Sequence, residues 1–305
     1  MTRTESNIIL FSITLCWAAS YIFIKNLPPA LSVFAYLTMT AGLASVILFI
    51  VFFKRLRLFN RGILLRSAIM AVILCIELVL EKLGIASIPA STASFIASLN
   101  IVIVPLLLLF FKKMPSRNNL LGIFIILTGL ALSSGIKPGQ PLEAGMLYML
   151  VACFFMAVYI ICTDRFTKSH DPLLLGVGQM FCTTFMAFIL WSLEEPKTFL
   201  SIDYSNTMLA NIFMLAFFSN AYAYIMLMYS PKYANPLSVT VIASTEPVVT
   251  MVLAILIPGT FGVNESFTVI KLASAVLIAA GAVCAGTGFL SKKEEKPLAG
   301  NSVSL

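Results

Sequence analysis

The sequence predicts an all-α integral membrane protein with ten transmembrane helices in two inverted five-helix repeats. Three observations lead there. Apolar stretches of about 20 residues, each long enough to cross the hydrocarbon of a bilayer, recur along almost the whole chain. Lysine and arginine gather in alternate connections. Short patterns of the first half also return in the second after an odd number of spans, which turns the second half upside down.

Composition sets the frame. Sixty per cent of the 305 residues are hydrophobic and 11% are charged, against about 25% charged in an ordinary soluble domain. The bilayer is therefore the expected solvent, and no stretch is left over for a soluble domain. Cutting at charged, proline and glycine clusters places spans at 7–27, 31–53, 66–86, 89–111, 118–135, 144–163, 172–192, 208–229, 235–257 and 267–290. The first is longer than a signal-peptide core and has only Arg3 before it, so it reads as a retained helix.

With the N-terminus inside, Lys54, Arg55, Arg57, Arg61 and Arg66 share one cytoplasmic loop, and Lys112, Lys113 and Arg117 share the next. Arg165, Lys168, Lys232 and the tail lysines Lys292, Lys293 and Lys296 fall on the same side. The opposite loops hold Lys137 and Lys197 among Glu143, Glu194, Glu195, Asp203 and Glu265. This asymmetry puts both termini in the cytoplasm and the chain in the cytoplasmic (inner) membrane. The formal charge of +7 thus orients spans and does not point to nucleic acid. All six cysteines lie inside apolar stretches without metal-ligand spacing, so neither disulfide, metal nor cofactor is expected.

Internal repetition is weak but placed alike in both halves. Trp17-Ala18-Ala19 with Lys25 lies over Ala157-Val158-Tyr159 with Arg165, at an offset of 140 residues. Ala86-Ser87-Ile88-Pro89-Ala90 through Ala97-Ser98-Leu99-Asn100 lies over Lys232-Tyr233-Ala234-Asn235-Pro236 through Ala243-Ser244-Thr245-Glu246, at an offset of 146. Apolar segments align easily, and chance is the competing explanation; five spans per half favour the repeat. The division is 1–137 for the N-terminal repeat, 138–291 for the C-terminal one and 292–305 for a cytoplasmic tail, the two repeats forming one membrane unit.

Residues 7 to 290 resemble the EamA-type branch of the drug/metabolite transporter superfamily. The resemblance rests on Trp17 to Lys25 (WAASYIFIK), Ser91 to Pro115, Tyr159 to Pro172 (YIICTDRFTKSHDP), and Ser244 to Val249 (STEPVV) with Glu265 and Gly281 downstream. It implies ten helices in two inverted repeats, and a midplane cavity between helices 1, 3, 4, 6, 8 and 9. One departure is the absence of an arginine around Thr38 and Met39, where family members often carry one early in helix two.

Intramembrane acids come first as candidate site residues, because an ionised carboxylate at the bilayer centre costs about 2.5–3.5 kcal/mol on insertion scales. Glu77 and Glu246 each lie about ten residues, roughly 15 Å, into a span. Pro247 after Glu246 frees the Ala243 carbonyl and predicts a kink in helix nine. Asn100 is the repeat counterpart of Glu246, with Pro105 as a second kink. A structural reading stands beside the functional one, with Glu246 as a strut between helices. Glu77, Glu81 and Lys82 break the symmetry, since their counterparts are Ala223, Leu227 and Met228. Glu77 and Glu81 share a helix face, which favours a bound proton or a cationic ligand group. Lys82 either compensates one of them or, with Glu81, reaches the outer headgroups. Trp17 and Asn220 are central enough to offer stacking and hydrogen bonds, or else pack, whereas the tyrosines read more naturally as interfacial anchors. Gly122 and Gly281 with Ala285 mark faces of close helix packing.

These residues favour a secondary transporter of a small organic metabolite: an amino acid, amine or other zwitterionic or cationic solute, moved by alternating access with proton coupling or exchange. A nucleoside, an adenosylmethionine-like compound or a vitamin is the alternative cargo. No phosphate-binding Gly-x-x-x-x-Gly-Lys-Ser/Thr run is present. An enzyme is disfavoured, because the single histidine, His170, stands beside Asp171 and Pro172 in what reads as a turn. A channel or receptor fits the inverted repeats less well. The expected partners are the substrate, the lipid bilayer and protons.

Overall fold

The computed structural model describes residues 3–112, 114–133, 143–198, 202, 204–230, 234, 236–256 and 268–286. Glu265, Lys113, Lys137, Asp203, Lys232, Tyr233, Asn235 and the whole tail 292–305, all of which carry sequence expectations, lie outside them.

The first three helices are α1 (Arg3–Lys25), α2 (Val33–Phe52) and α3 (Arg61–Ser87). Side-chain caps set two of the starts. Ser32 accepts from the Ala35 amide to open α2, and Asn60 accepts from the Ile63 amide to open α3. A 3-10 turn, Phe53–Leu58, carries Arg55 and Arg57 between them. Arg61 and Arg66, expected in a loop, instead form the first turns of α3, because the Asn60 cap starts that helix earlier than hydropathy alone indicates.

The fourth span is discontinuous, with α4 (Ala90–Ala97) and α5 (Asn100–Phe110) separated at Ser98 and Leu99. Then come α6 (Arg117–Ser133), α7 (Ala144–Phe166) and α8 (Pro172–Glu194). The expected turn at His170-Asp171-Pro172 is the entrance to α8. Asp171 caps the amides of Leu173 and Leu174, and Pro172 sits in the first turn, where a missing N–H costs nothing. The eighth span passes from α9 (Asn206–Met214) through a π-helical stretch, Leu215–Ala223, into α10 (Tyr224–Tyr229). The ninth is broken at Ser244 and Thr245 into α11 (Pro236–Ala243) and α12 (Glu246–Leu256), and α13 (Val269–Gly286) follows.

Among the described residues helix is the only regular secondary structure. Eight of the described helical stretches are long and apolar enough to cross a membrane, and Arg117–Leu132 and Leu272–Ala285 are shorter apolar helices. Large apolar side chains such as Phe110 (84% exposed), Leu193 (73%) and Phe124 (69%) point outward, as suits a surface solvated by lipid.

The two breaks share their backbone pattern. Ser98 and Leu99 donate to the carbonyls of Ser94 and Ile96, and Val102 and Ile103 both donate to Leu99. The same bonds recur 146 residues later, from Ser244 to Thr240, Thr245 to Ile242, and Val248 and Val249 to Thr245. A fifth bond, Ile101 to Ser98, has no counterpart, since Pro247 stands there without an N–H. The predicted kinks are thus replaced by breaks. Pro247 lies in the first turn of α12, where proline is tolerated, and Pro105 sits within an unbroken α5.

Packing brings distant chain segments together. α6 lies along α13, close enough that a Cβ on Gly122 would stand 2.7 Å from the Gly281 carbonyl oxygen and 2.5 Å from the Ala285 Cβ. Ile101, Ile126, Leu237, Val241 and Ile278 fill the space between this pair and the broken helices. A larger apolar cluster joins α1, α2, α3, α7, α8 and α10. At one end His170 stands beside Gly62, and the Ser67 hydroxyl donates to the Leu175 carbonyl at 3.2 Å. At the other end the Lys25 ammonium donates to the carbonyls of Ile85 (3.0 Å) and Ile88 (3.1 Å), closing the C-terminus of α3.

Candidate functional site

A cavity opens where the two broken spans meet α1, α3, α7 and the π-helical stretch. It holds about 640 Å³ of space between side chains, its solvent-open part included. Trp17, Ser20 and Tyr21 come from α1, Glu77 and Glu81 from α3, and Ala97, Ser98 and Asn100 from the first break. Met149, Ala152, Cys153, Met156 and Ile160 come from α7, and Ser219 and Tyr224 from the eighth span. Thr240, Ala243, Ser244 and Glu246 complete it from the second break.

Each wall follows from local structure. Trp17, Ser20 and Tyr21 are spaced three and four apart and so share one helix face. Glu77 and Glu81 are one turn apart on α3, with Glu77 16 residues, about 24 Å, beyond Arg61. The breaks present Asn100 and Glu246 as the first residues of α5 and α12. Asn100 Nδ2 donates to the Ala97 carbonyl at 2.9 Å, and the Cys153 thiol donates to the same oxygen at 3.3 Å. A carbonyl released by the break is thereby satisfied.

Acidic groups dominate the interior. Glu77 and Glu246 are buried, at 3% and 6% exposure, and Glu81 is half-buried. The side chains of Tyr21 and Tyr224 line the same cavity as these carboxylates. Tyr224 also packs its ring 5.7 Å from Trp17 and 5.8 Å from Tyr159, whose hydroxyl donates to Gln179 at 2.9 Å. Among the described lining residues there is no lysine, arginine or histidine. Lys82, offered above as a compensating charge or headgroup anchor, is buried with its ammonium 5.9 Å above the Tyr36 ring. Glu81, offered as its companion at the membrane surface, lines the cavity instead.

Four of the five site residues named from sequence, Trp17, Glu77, Asn100 and Glu246, meet in this cavity. Asn220 does not: it is buried, but its neighbour Ser219 takes the lining position. The π-helical stretch is the reason. Its wider turn brings residues five apart, such as Ser219 and Tyr224, towards one wall and changes the facing that α-helical spacing predicts. Ser20 and Tyr21 were within reach of sequence reasoning through their spacing from Trp17, whereas Tyr224 was hidden by the change of helix type.

Ile160 also borders a second, smaller space of about 200 Å³, lined by Thr163, Asp164, Leu227, Ser230 and Pro236 among others. Asp164 there is 2.7 Å from the Lys168 ammonium. Among the described residues no group of three His, Cys, Asp or Glu side chains is placed to hold a metal ion.

The family model of the EamA-like transporter family matches the chain twice, over residues 5–135 and 143–287. The chain belongs to that family. The two matches meet at the connection between α6 and α7, so each covers one half with one broken span. A solved structure titled only "Crystal structure of protein" superposes with a TM-score of 0.72 at 16% identity, covering 93% of this chain and 97% of its own. That likeness concerns the fold alone. Among curated proteins none matches this sequence. As an EamA-like protein the chain is an integral membrane transporter of small solutes.

Proposed function

We propose that this EamA-like protein is a secondary transporter that moves an amino acid, amine or other zwitterionic or cationic metabolite across the cytoplasmic membrane by alternating access. In this reading it has ten transmembrane helices in two inverted repeats with both termini in the cytoplasm, and proton exchange at Glu77 or Glu246 couples the cycle. The carrying observation is the acid-lined cavity between two matched helix breaks, with no cationic side chain among its described lining residues. Such breaks at mid-membrane depth are where transporters place their sites, because irregular backbone is tolerated only where it faces protein or a cavity. The second space, which shares Ile160 with the cavity, suits a path that continues beyond it.

The test is reconstitution. Purified protein is screened by thermal shift against amino acids, amines, nucleosides and vitamins, and each solute that raises the midpoint is followed across proteoliposome membranes with a pH dye inside. Saturable flux with a coupled pH change is expected, and Glu77→Gln or Glu246→Gln should abolish the pH change. Unaltered flux and pH dependence in both variants would remove the carboxylates from the mechanism.

A further inference from the structure

Hydrogen-bond donors are scarce in the wall of the cavity. Four lining hydroxyls donate to backbone carbonyls three or four residues back: Ser20 to Trp17 (2.7 Å), Ser98 to Ser94 (2.9 Å), Thr240 to Leu237 (3.0 Å) and Ser244 to Val241 (2.6 Å). Each then has only oxygen lone pairs left to offer. The Cys153 thiol and the Asn100 amide nitrogen both donate to the Ala97 carbonyl. Acceptors, by contrast, are plentiful. Three carboxylates, Glu77, Glu81 and Glu246, line the space. Glu77 Oε2 and Asn100 Oδ1 have no hydrogen-bond partner among the described residues, and both residues are more than nine-tenths buried. The donors that remain include the Trp17 indole N–H, also without a partner, and the hydroxyls of Tyr21, Ser219 and Tyr224. Buried acceptors without donors are costly, and buried carboxylates without a cation more so. A ligand that brings N–H donors and positive charge answers both needs. One that carries a carboxylate adds acceptors and like charge. Met149, Ala152, Met156 and Ile160, spaced three and four apart, form one apolar face of α7, and the Trp17 and Tyr224 rings lie 5.7 Å from each other. These surfaces suit an apolar body.

We propose that the cavity selects a protonated amine on an apolar body and rejects the amino acid that carries a carboxylate on the same body. The ammonium supplies the donors and the charge that the acid-lined wall lacks, and the body packs on the α7 face and the aromatic rings. This assignment rests on the transporter reading and narrows its cargo to the amines.

Matched pairs test it: phenethylamine with L-phenylalanine, tryptamine with L-tryptophan, and isopentylamine with L-leucine, each amino acid being its amine plus a carboxylate. A further probe, 2-phenylethanol, keeps the phenethyl body without the charge. Binding to the purified full-length protein is measured by calorimetry, and flux in proteoliposomes. Each amine that binds should exceed its amino acid about ten- to a hundredfold, and phenethylamine should exceed 2-phenylethanol by a similar factor, the range for hydrogen bonds to a charged group. Glu77→Gln and Glu246→Gln should each weaken phenethylamine more than 2-phenylethanol. Equal weakening of the two probes in both variants overturns the assignment, because the carboxylates then do not read the charge. In the unaltered protein, an amino acid that binds as tightly as its amine overturns it as well. So does binding of none of the amines while another solute of the panel crosses the bilayer, an outcome that leaves the transporter reading standing. Absence of flux for every solute counts against that reading, and the amine as cargo falls with it.

Discussion

Asn100 and Glu246, 146 residues apart, each open an eleven-residue helix directly after a two-residue break in a membrane span. The equivalence is one of backbone, since four hydrogen bonds recur around both breaks. It is not one of chemistry, because one residue is a neutral amide that ties its side chain to the preceding helix and the other is a carboxylate that lines the same cavity as Tyr21.

Asn100→Ala should therefore weaken the fold as well as the site. The substitution removes the 2.9 Å bond to the Ala97 carbonyl and leaves that oxygen the weaker Cys153 thiol. A loss of about 1 kcal/mol is expected, read as a lower unfolding midpoint in detergent. Asn100→Asp, which cannot donate when ionised, should lose at least as much, and a midpoint unchanged in both variants would show that the bond does not support the break.

Tyr21→Phe and Glu81→Gln should not add. Both side chains line one cavity, so the double variant should lose less ligand affinity than the sum of the singles, with a coupling of about 0.5–3 kcal/mol. Titration of all four proteins with the same ligand measures it. Strict additivity would mean that the two side chains act independently on the ligand.

Lys25 and Lys82 should behave oppositely. Lys25→Met leaves the Ile85 and Ile88 carbonyls without their ammonium donor and should cost about 1.5–3 kcal/mol. Lys82→Met exchanges a buried cation over Tyr36 for an apolar side chain of similar length, so stability should hold or rise. Paired thermal melts decide the order.

Gly122→Ala should destabilise the α6–α13 pair by about 1–3 kcal/mol, since the added methyl meets the Gly281 carbonyl and the backbone nitrogen of Ala285, both at 2.7 Å. Adding Ala285→Gly should not restore the loss, because those two contacts are backbone. Recovery of the melting temperature in the double variant would place the clash on the Ala285 methyl alone.

Much of this protein was legible as sequence because lipid imposes simple rules. A backbone that finds no water must close its own hydrogen bonds, so long apolar runs became helices, whereas the Asn60 cap, which hydropathy does not show, moved the start of α3 back to Arg61. The cost of burying charge singled out Glu77 and Glu246, and the repeat pointed to Asn100. The tertiary structure decided what depended on neighbours. Glu81 and Lys82 are adjacent in sequence, yet helical spacing sends one to the cavity and the other onto Tyr36. The π-helical stretch exchanged Ser219 for Asn220 at the lining, a change of register that hydropathy does not register. The helix breaks, and with them the union of Trp17, Tyr21, Tyr224 and three carboxylates around one space, arise only when spans distant in the chain pack together.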